Sequence, residues 1–290
     1  MKGNSEITIR PIIGILGGVG PMAGILLHTK IINKTNVKRD QEHLDIVHLS
    51  LPQYIGDRTS YLLELQMTKN KEPTIKNPGI GMGKVAQALS ATASSLNTNA
   101  LVVVTCNTFH SPIIFNEFMK EIKRINMEIC KQHKIEHQKM PSIKQSIPGY
   151  LYIHHMVELT LLFIKQELGI NKVGLMSTTG TRNTHLYLEI AINKFNLEII
   201  EIDQEYQDEL HECIYNKQDG IKTLSFASSR VRANFEKYVK MLYAKGATAA
   251  ILGCTEIPIV LHEKKLFGVV LIDPVDILAN TLIDAVDCQE

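Results

Sequence analysis

The feature that most restricts the fold is an alternation of short apolar runs with helix-period segments along nearly the whole chain. Residues 12–16, 44–49, 100–104, 172–176, 197–202, 248–252 and 269–272 read as strands. Several are apolar throughout, as strands buried on both faces are. Between them the apolar positions fall at helical spacing, as in Phe115, Phe118, Met119, Ile122, Ile125 and Ile129. Repeated strand–helix–strand order specifies an α/β fold of mostly parallel sheets flanked by helices. Loops that carry function in such folds lie at the carboxyl ends of the strands.

The order occurs twice. In the first half an apolar strand ends in Gly17-Gly18-Val19-Gly20, and a later one ends in Thr105-Cys106-Asn107-Thr108. In the second half the corresponding strands end in Thr178-Thr179-Gly180-Thr181 and in Gly253-Cys254-Thr255-Glu256, at a comparable separation. This predicts two similar lobes, each a mostly parallel sheet presenting one cysteine at a strand end, with an active site in the cleft between them. The expected division is 1–125 for the first lobe, with 263–290 packing back on it, and 149–262 for the second. Residues 126–148 are rich in Lys, Gln and His and end in Pro148-Gly149, the composition of a connection or surface insertion.

Composition narrows the function classes. The 290 residues are 44% hydrophobic and 21% charged, enough for a sizeable core. Lys plus Arg (31) nearly balance Asp plus Glu (30), so bulk charge does not point to nucleic acid. No apolar run reaches the roughly 18 residues of a membrane helix, and Met1 to Arg10 lacks the hydrophobic core of a signal peptide. Five cysteines at wide spacing without a CxxC suit neither a disulfide framework nor a zinc site. The expectation is a reduced, cytoplasmic protein with no membrane or nucleic-acid partner and no bound metal.

A single buried cysteine is ordinary core filling; two in matching settings are not. Backbone N–H groups at a strand-to-helix turn favour an anion and can lower a thiol's pKa. Two thiols facing one another across a cleft suit proton transfer to and from carbon, one removing a proton as the other delivers one to the opposite face. His110 is placed to influence Cys106. His154-His155 has no metal-binding spacing. Cys130, Cys213 and Cys288 sit in polar or terminal surroundings with no partner motif. A rival reading takes Gly18-x-Gly20-x-x-Ala23 as a dinucleotide fingerprint with Asp45 as the ribose-binding acid; Pro21 inside the turn and the repeated cysteine motifs argue against it.

The segments 14–23, Asp57-Arg58-Thr59, Thr105-Cys106-Asn107-Thr108 and 252–257 together resemble the cofactor-independent aspartate/glutamate racemase superfamily, and within it the aspartate racemase branch. The resemblance implies two α/β lobes, Cys106 and Cys254 as the acid–base pair, a small amino-acid substrate, no pyridoxal phosphate or metal, and a homodimer. It implies that Arg58 holds a substrate carboxylate through paired hydrogen bonds and that Arg182 stands where the family often places a Lys as second anchor. Asn107, Thr108 and Thr255 follow the cysteines and are expected to bind the α-carboxylate or to cap helices. The turn at Gly18 and Val19 is expected to let substrate approach the backbone. The role of Glu256 stays open, and Gly56 stands where relatives usually carry Pro. Glutamate or broader specificity, another cysteine-dependent isomerase, and a non-catalytic two-lobe binding protein are the alternatives.

Overall fold

The computed structural model describes residues 10–67, 73–135, 141–224, 226 and 228–287. In the first lobe, β1 (Ile12–Gly17), β2 (Ile46–Ser50), β3 (Ala100–Val104) and β4 (Leu151–His154) form one sheet in the order β2-β1-β3-β4, all parallel. Its helices are α1 (Pro21–Lys34), α2 (Arg58–Met67), α3 (Pro78–Ser95) and α4 (Pro112–Gln132). Every residue of β1 and β3 is buried, because helices cover both faces of the sheet. Of the stripe read on α4, Phe118, Ile122, Ile125 and Ile129 are buried, at the spacing of one helical face, while Phe115 and Met119 are half-buried at its margin and Ile114 joins the buried face.

The second sheet joins β5 (Lys172–Ser177), β6 (Glu198–Glu201), β7 (Ala249–Gly253), β8 (Lys265–Leu266) and β9 (Val269–Ile272) in the order β6-β5-β7-β9-β8. Only β8 runs antiparallel, on the edge. Around it lie α5 (Met156–Gln166), α6 (Thr179–Asn183), α7 (Leu186–Ile190), α8 (Gln207–Tyr215), α9 (Ile221–Leu224), α10 (Ser229–Ala244) and α11 (Ile257–Val260). The closing helix α12 (Pro274–Asp287) packs against both α1 and α5 and so ties the lobes together. No helix among the described residues is long and apolar enough to cross a membrane.

Three boundaries differ from the sequence reading. The strand before His155 pairs with β3 and completes the first sheet, so the second lobe opens at α5 rather than at residue 149. Asn126 fixes this edge: its amide donates to the Leu151 carbonyl and accepts from the Leu151 N–H, both at 2.9 Å. Residues 126–132 are the last turns of α4 rather than a connection. Of 263–290, only α12 packs back on the first lobe, while 265–272 belongs to the second sheet. Cys130 and Cys213 are buried among apolar side chains on the inner faces of α4 and α8, not in polar surroundings; Cys288 lies outside the described residues.

Register places the functional loops. Leu16 pairs with Val104, and Ser177 with Gly253. In each lobe the glycine- or threonine-bearing turn therefore emerges beside the cysteine-bearing one. The two sheets present these ends to each other. Asp45, by contrast, precedes β2 at the opposite edge of the sheet from the Gly-rich turn, which removes the dinucleotide reading. Leu278, fully buried on α12 with Leu27 and Ile31 of α1, is the direct test of the tie between lobes. Leu278→Ala is expected to cost about 2–5 kcal/mol, read as a lowered urea midpoint for unfolding.

Candidate active site

Cys106 follows β3 by two residues and Cys254 follows β7 directly, and both are buried. They line one small cavity with Val19, Arg58, Asn107 and Thr108 from the first lobe and Thr178, Tyr215, Lys222, Thr255 and Glu256 from the second. Its volume is about 10 Å³, room for roughly one water. A larger cavity of about 590 Å³ lies elsewhere, between α1, α12 and β9. It holds no thiol, so the chemistry belongs to the small one.

Each thiol has a neighbour of opposite sign to the other's. Arg58 opens α2, whose first turn Asp57 caps by accepting from the Ser60 N–H at 2.7 Å. From there its side chain lines the same cavity as Cys106. Burial works against the Arg58 charge, but Cys106 and Asp57 beside it raise its pKa above the ordinary value. Cys254 instead donates to the Glu256 carboxylate at 3.0 Å, and the Thr255 hydroxyl donates to the same oxygen at 3.1 Å. Burial and the adjacent carboxylate push the Cys254 thiol well above its usual range, contrary to the lowered pKa expected of a strand-end thiol. Burial also acts to raise Glu256, yet the Lys222 ammonium and the hydrogen bonds from Cys254 and Thr255 hold that carboxyl below its usual value. Lys222 closes the cluster by donating to the other Glu256 oxygen.

The first-lobe turn meets this pair. Gly20 has φ +107°, and a Cβ there would stand 3.0 Å from Glu256 and 3.3 Å from Lys222, so only glycine suits both the backbone and the approach. What reaches this turn is the second lobe's ion pair. Val19 lines the cavity, whereas Gly18 faces the backbone of Leu51 and Pro52 instead. His110 acts on Cys106 through the main chain. Its Nδ1 lies 2.8 Å from the Cys106 carbonyl oxygen, and its Nε2 accepts from the Met156 N–H at 3.4 Å. Burial, with His155 beside it, keeps His110 well below the usual imidazole range, as a neutral ring in that role requires. His155 caps α5 by accepting from the Glu158 N–H.

Arg182 is not at the site. Thr178 and Thr181 occupy the inward side of the α6 turn, which sends Arg182 to Gln207 (2.9 Å) and Glu201 (3.1 Å). The second cation is Lys222, which the sequence reading missed together with Thr178 and Tyr215. Lys222 lies on α9, a four-residue helix too short to show periodicity, and no motif flanks it. Two buried donors at the site, Arg58 Nε and Asn107 Nδ2, have no hydrogen-bond partner. A buried unpaired donor is costly, and here both point to a ligand rich in acceptor oxygens. Among the described residues no group of three or more His, Cys, Asp or Glu side chains is gathered to hold a metal.

Residues 153–282 match the family described as Asp/Glu/Hydantoin racemase. That stretch contains Cys254, Glu256 and Lys222 but not Cys106 or Arg58. Among solved structures, the aspartate racemase of Picrophilus torridus superposes with a TM-score of 0.67 at 22% identity, over 96% of this chain and 94% of that one. A putative Asp/Glu racemase from Yersinia pestis gives 0.61 at 22%, over 95% and 99%. The glutamate racemase of Francisella tularensis gives 0.53 at 18%, over 95% and 80%. The structures share the two-lobe fold with this chain. The family match thus covers the second lobe, and the solved structures extend the likeness of fold over the first.

The unequal surroundings of the thiols are testable without any substrate. Removing the Glu256 charge lowers the Cys254 pKa and enlarges its thiolate fraction at a given pH. Iodoacetamide is therefore expected to alkylate Cys254 at pH 8 about tenfold faster in Cys106→Ser/Glu256→Gln than in Cys106→Ser alone.

Proposed function

We propose that the protein is an amino-acid racemase that interconverts L- and D-aspartate by proton transfer between Cys106 and Cys254. The observation that carries the reading is one cavity lined by a thiol from each lobe, with a cation beside Cys106 and a carboxylate beside Cys254. Two-base chemistry needs its groups in opposite protonation states. This charge pattern keeps the proton on Cys254 and makes Cys106, beside Arg58, the group that takes the first proton.

In the forward step the α-carbon–hydrogen bond breaks and the proton goes to the Cys106 sulfur. The electron pair left on carbon spreads into the α-carboxylate, where Asn107, whose Nδ2 is unpartnered, and Thr108 donate to the developing charge. The Cys254 sulfur–hydrogen bond then breaks as its proton forms a carbon–hydrogen bond on the opposite face. Cys254 is left as the thiolate, and the reverse reaction starts from that form. Arg58 and Lys222 supply two cations for two carboxylates, with Lys222 shared between Glu256 and the substrate. The cavity is smaller than any amino diacid, so substrate entry requires the lobes to part.

In deuterated water the protein is expected to exchange the α-proton of both L- and D-aspartate; a pure binding protein exchanges neither. Cys106→Ser and Cys254→Ser should each lower racemisation at least about 100-fold, whereas Cys130→Ala should retain it. Equal rates in all three variants would discard the two-thiol mechanism. Lys222→Met is expected to raise KM for aspartate about tenfold or more, as loss of a charge-assisted hydrogen bond does.

A further inference from the structure

The seam between the lobes carries a polar contact that the chemistry above leaves unused. Tyr187 on α7 is 1% exposed. Its hydroxyl donates across the seam to Asn107 Oδ1 at 2.5 Å, next to the residue that bears the first thiol. Beside it the Thr108 hydroxyl lies 2.9 Å from that of Thr181 and 3.5 Å from that of Thr178. Gly180 lets the lobes close tightly here, since a Cβ on it would lie 3.1 Å from Thr59 and 3.4 Å from Thr108.

We propose that Tyr187 is a positioning residue: its hydroxyl, reaching over from the second lobe, turns the Asn107 amide so that Nδ2 faces the cavity as a donor to the substrate's carboxylate, and it does so only when the lobes are closed. The inference rests on the racemase reading for the identity of the substrate. It stands on three observations of the seam. First, Asn107 Nδ2 is buried beside the cavity with no partner while Oδ1 is taken by Tyr187. Turning the amide over would leave the phenolic proton buried without an acceptor, so the hydroxyl selects the orientation. Second, the backbone around Tyr187 is bent. His185, just before α7, adopts φ +50°, and the five residues after α7, Ala191–Phe195, form a π-turn. Such departures collect where a side chain must be aimed. Third, donor and acceptor belong to different lobes, so parting the lobes would break the bond. Burial raises the Tyr187 pKa, with Cys254 and Asp273 nearby adding to it. The phenol therefore keeps its proton to donate.

The test is a double-mutant cycle on Tyr187→Phe and Asn107→Ala. It is read as kcat/KM for aspartate and, independently of turnover, as the dissociation constant of succinate by calorimetry. Tyr187→Phe is expected to weaken both by about 10- to 100-fold in the otherwise native protein and less than about twofold in the Asn107→Ala background. Equal factors in the two backgrounds mean that Tyr187 acts as packing alone and overturn the proposal. A native protein that neither exchanges nor racemises aspartate sinks the racemase reading, and the succinate cycle then still decides the role of Tyr187.

Discussion

Everything at this site depends on burying two sulfurs in a seam whose cavity is only about 10 Å³. Removing a proton from the α-carbon of an amino acid leaves charge that only fixed donors can stabilise when no electron sink is supplied, and fixed donors act strongly only where water is excluded. Parallel sheets provide the geometry. Each gathers its loops at one edge, and two such edges facing one another enclose a space with a thiol on either side. α12, packed against α1 and α5, holds the edges in register.

Electrostatics then makes the two halves unequal. The backbone motifs are similar, yet one sulfur meets the guanidinium of Arg58 and the other meets the carboxylate of Glu256. Glu256 remains charged in spite of burial because Lys222 pairs with it. The same pair presses on the glycine turn of the opposite lobe at Gly20. Charge pairing, thiol protonation and lobe closure are thus linked through one cluster. Any change in the pairing of Lys222 with Glu256 therefore reaches the environment of Cys254.

The polar seam around Asn107, Thr108, Thr178, Thr181 and Tyr187 has a second consequence. Buried hydroxyls and amides that satisfy one another across a joint specify a single closed arrangement more sharply than apolar contacts do. The donors left unpaired, Arg58 Nε and Asn107 Nδ2, are those a bound carboxylate would meet.

Much of this was legible in the chain. Continuous apolar runs such as Ala100–Val104 specify buried parallel strands, because only helices on both faces make such a run stable. The repeated strand-then-cysteine order specified two lobes with a thiol at each strand end, and Arg58 follows from its place after the second strand. These are local patterns, set by periodicity and by neighbours in sequence. What the tertiary structure decided depends on contacts between distant segments. The strand 151–154 reads the same in either lobe until its hydrogen bonds to β3 assign it. Arg182 and Lys222 are both cations near the second lobe's loops, and only the turn of α6 and the pairing with Glu256 show which one reaches the cavity. The shift of the Cys254 thiol likewise comes from burial and from a carboxylate two residues away whose direction no spacing rule states. Sequence sets which groups are available; packing, burial and the pairing of charges set which of them meet.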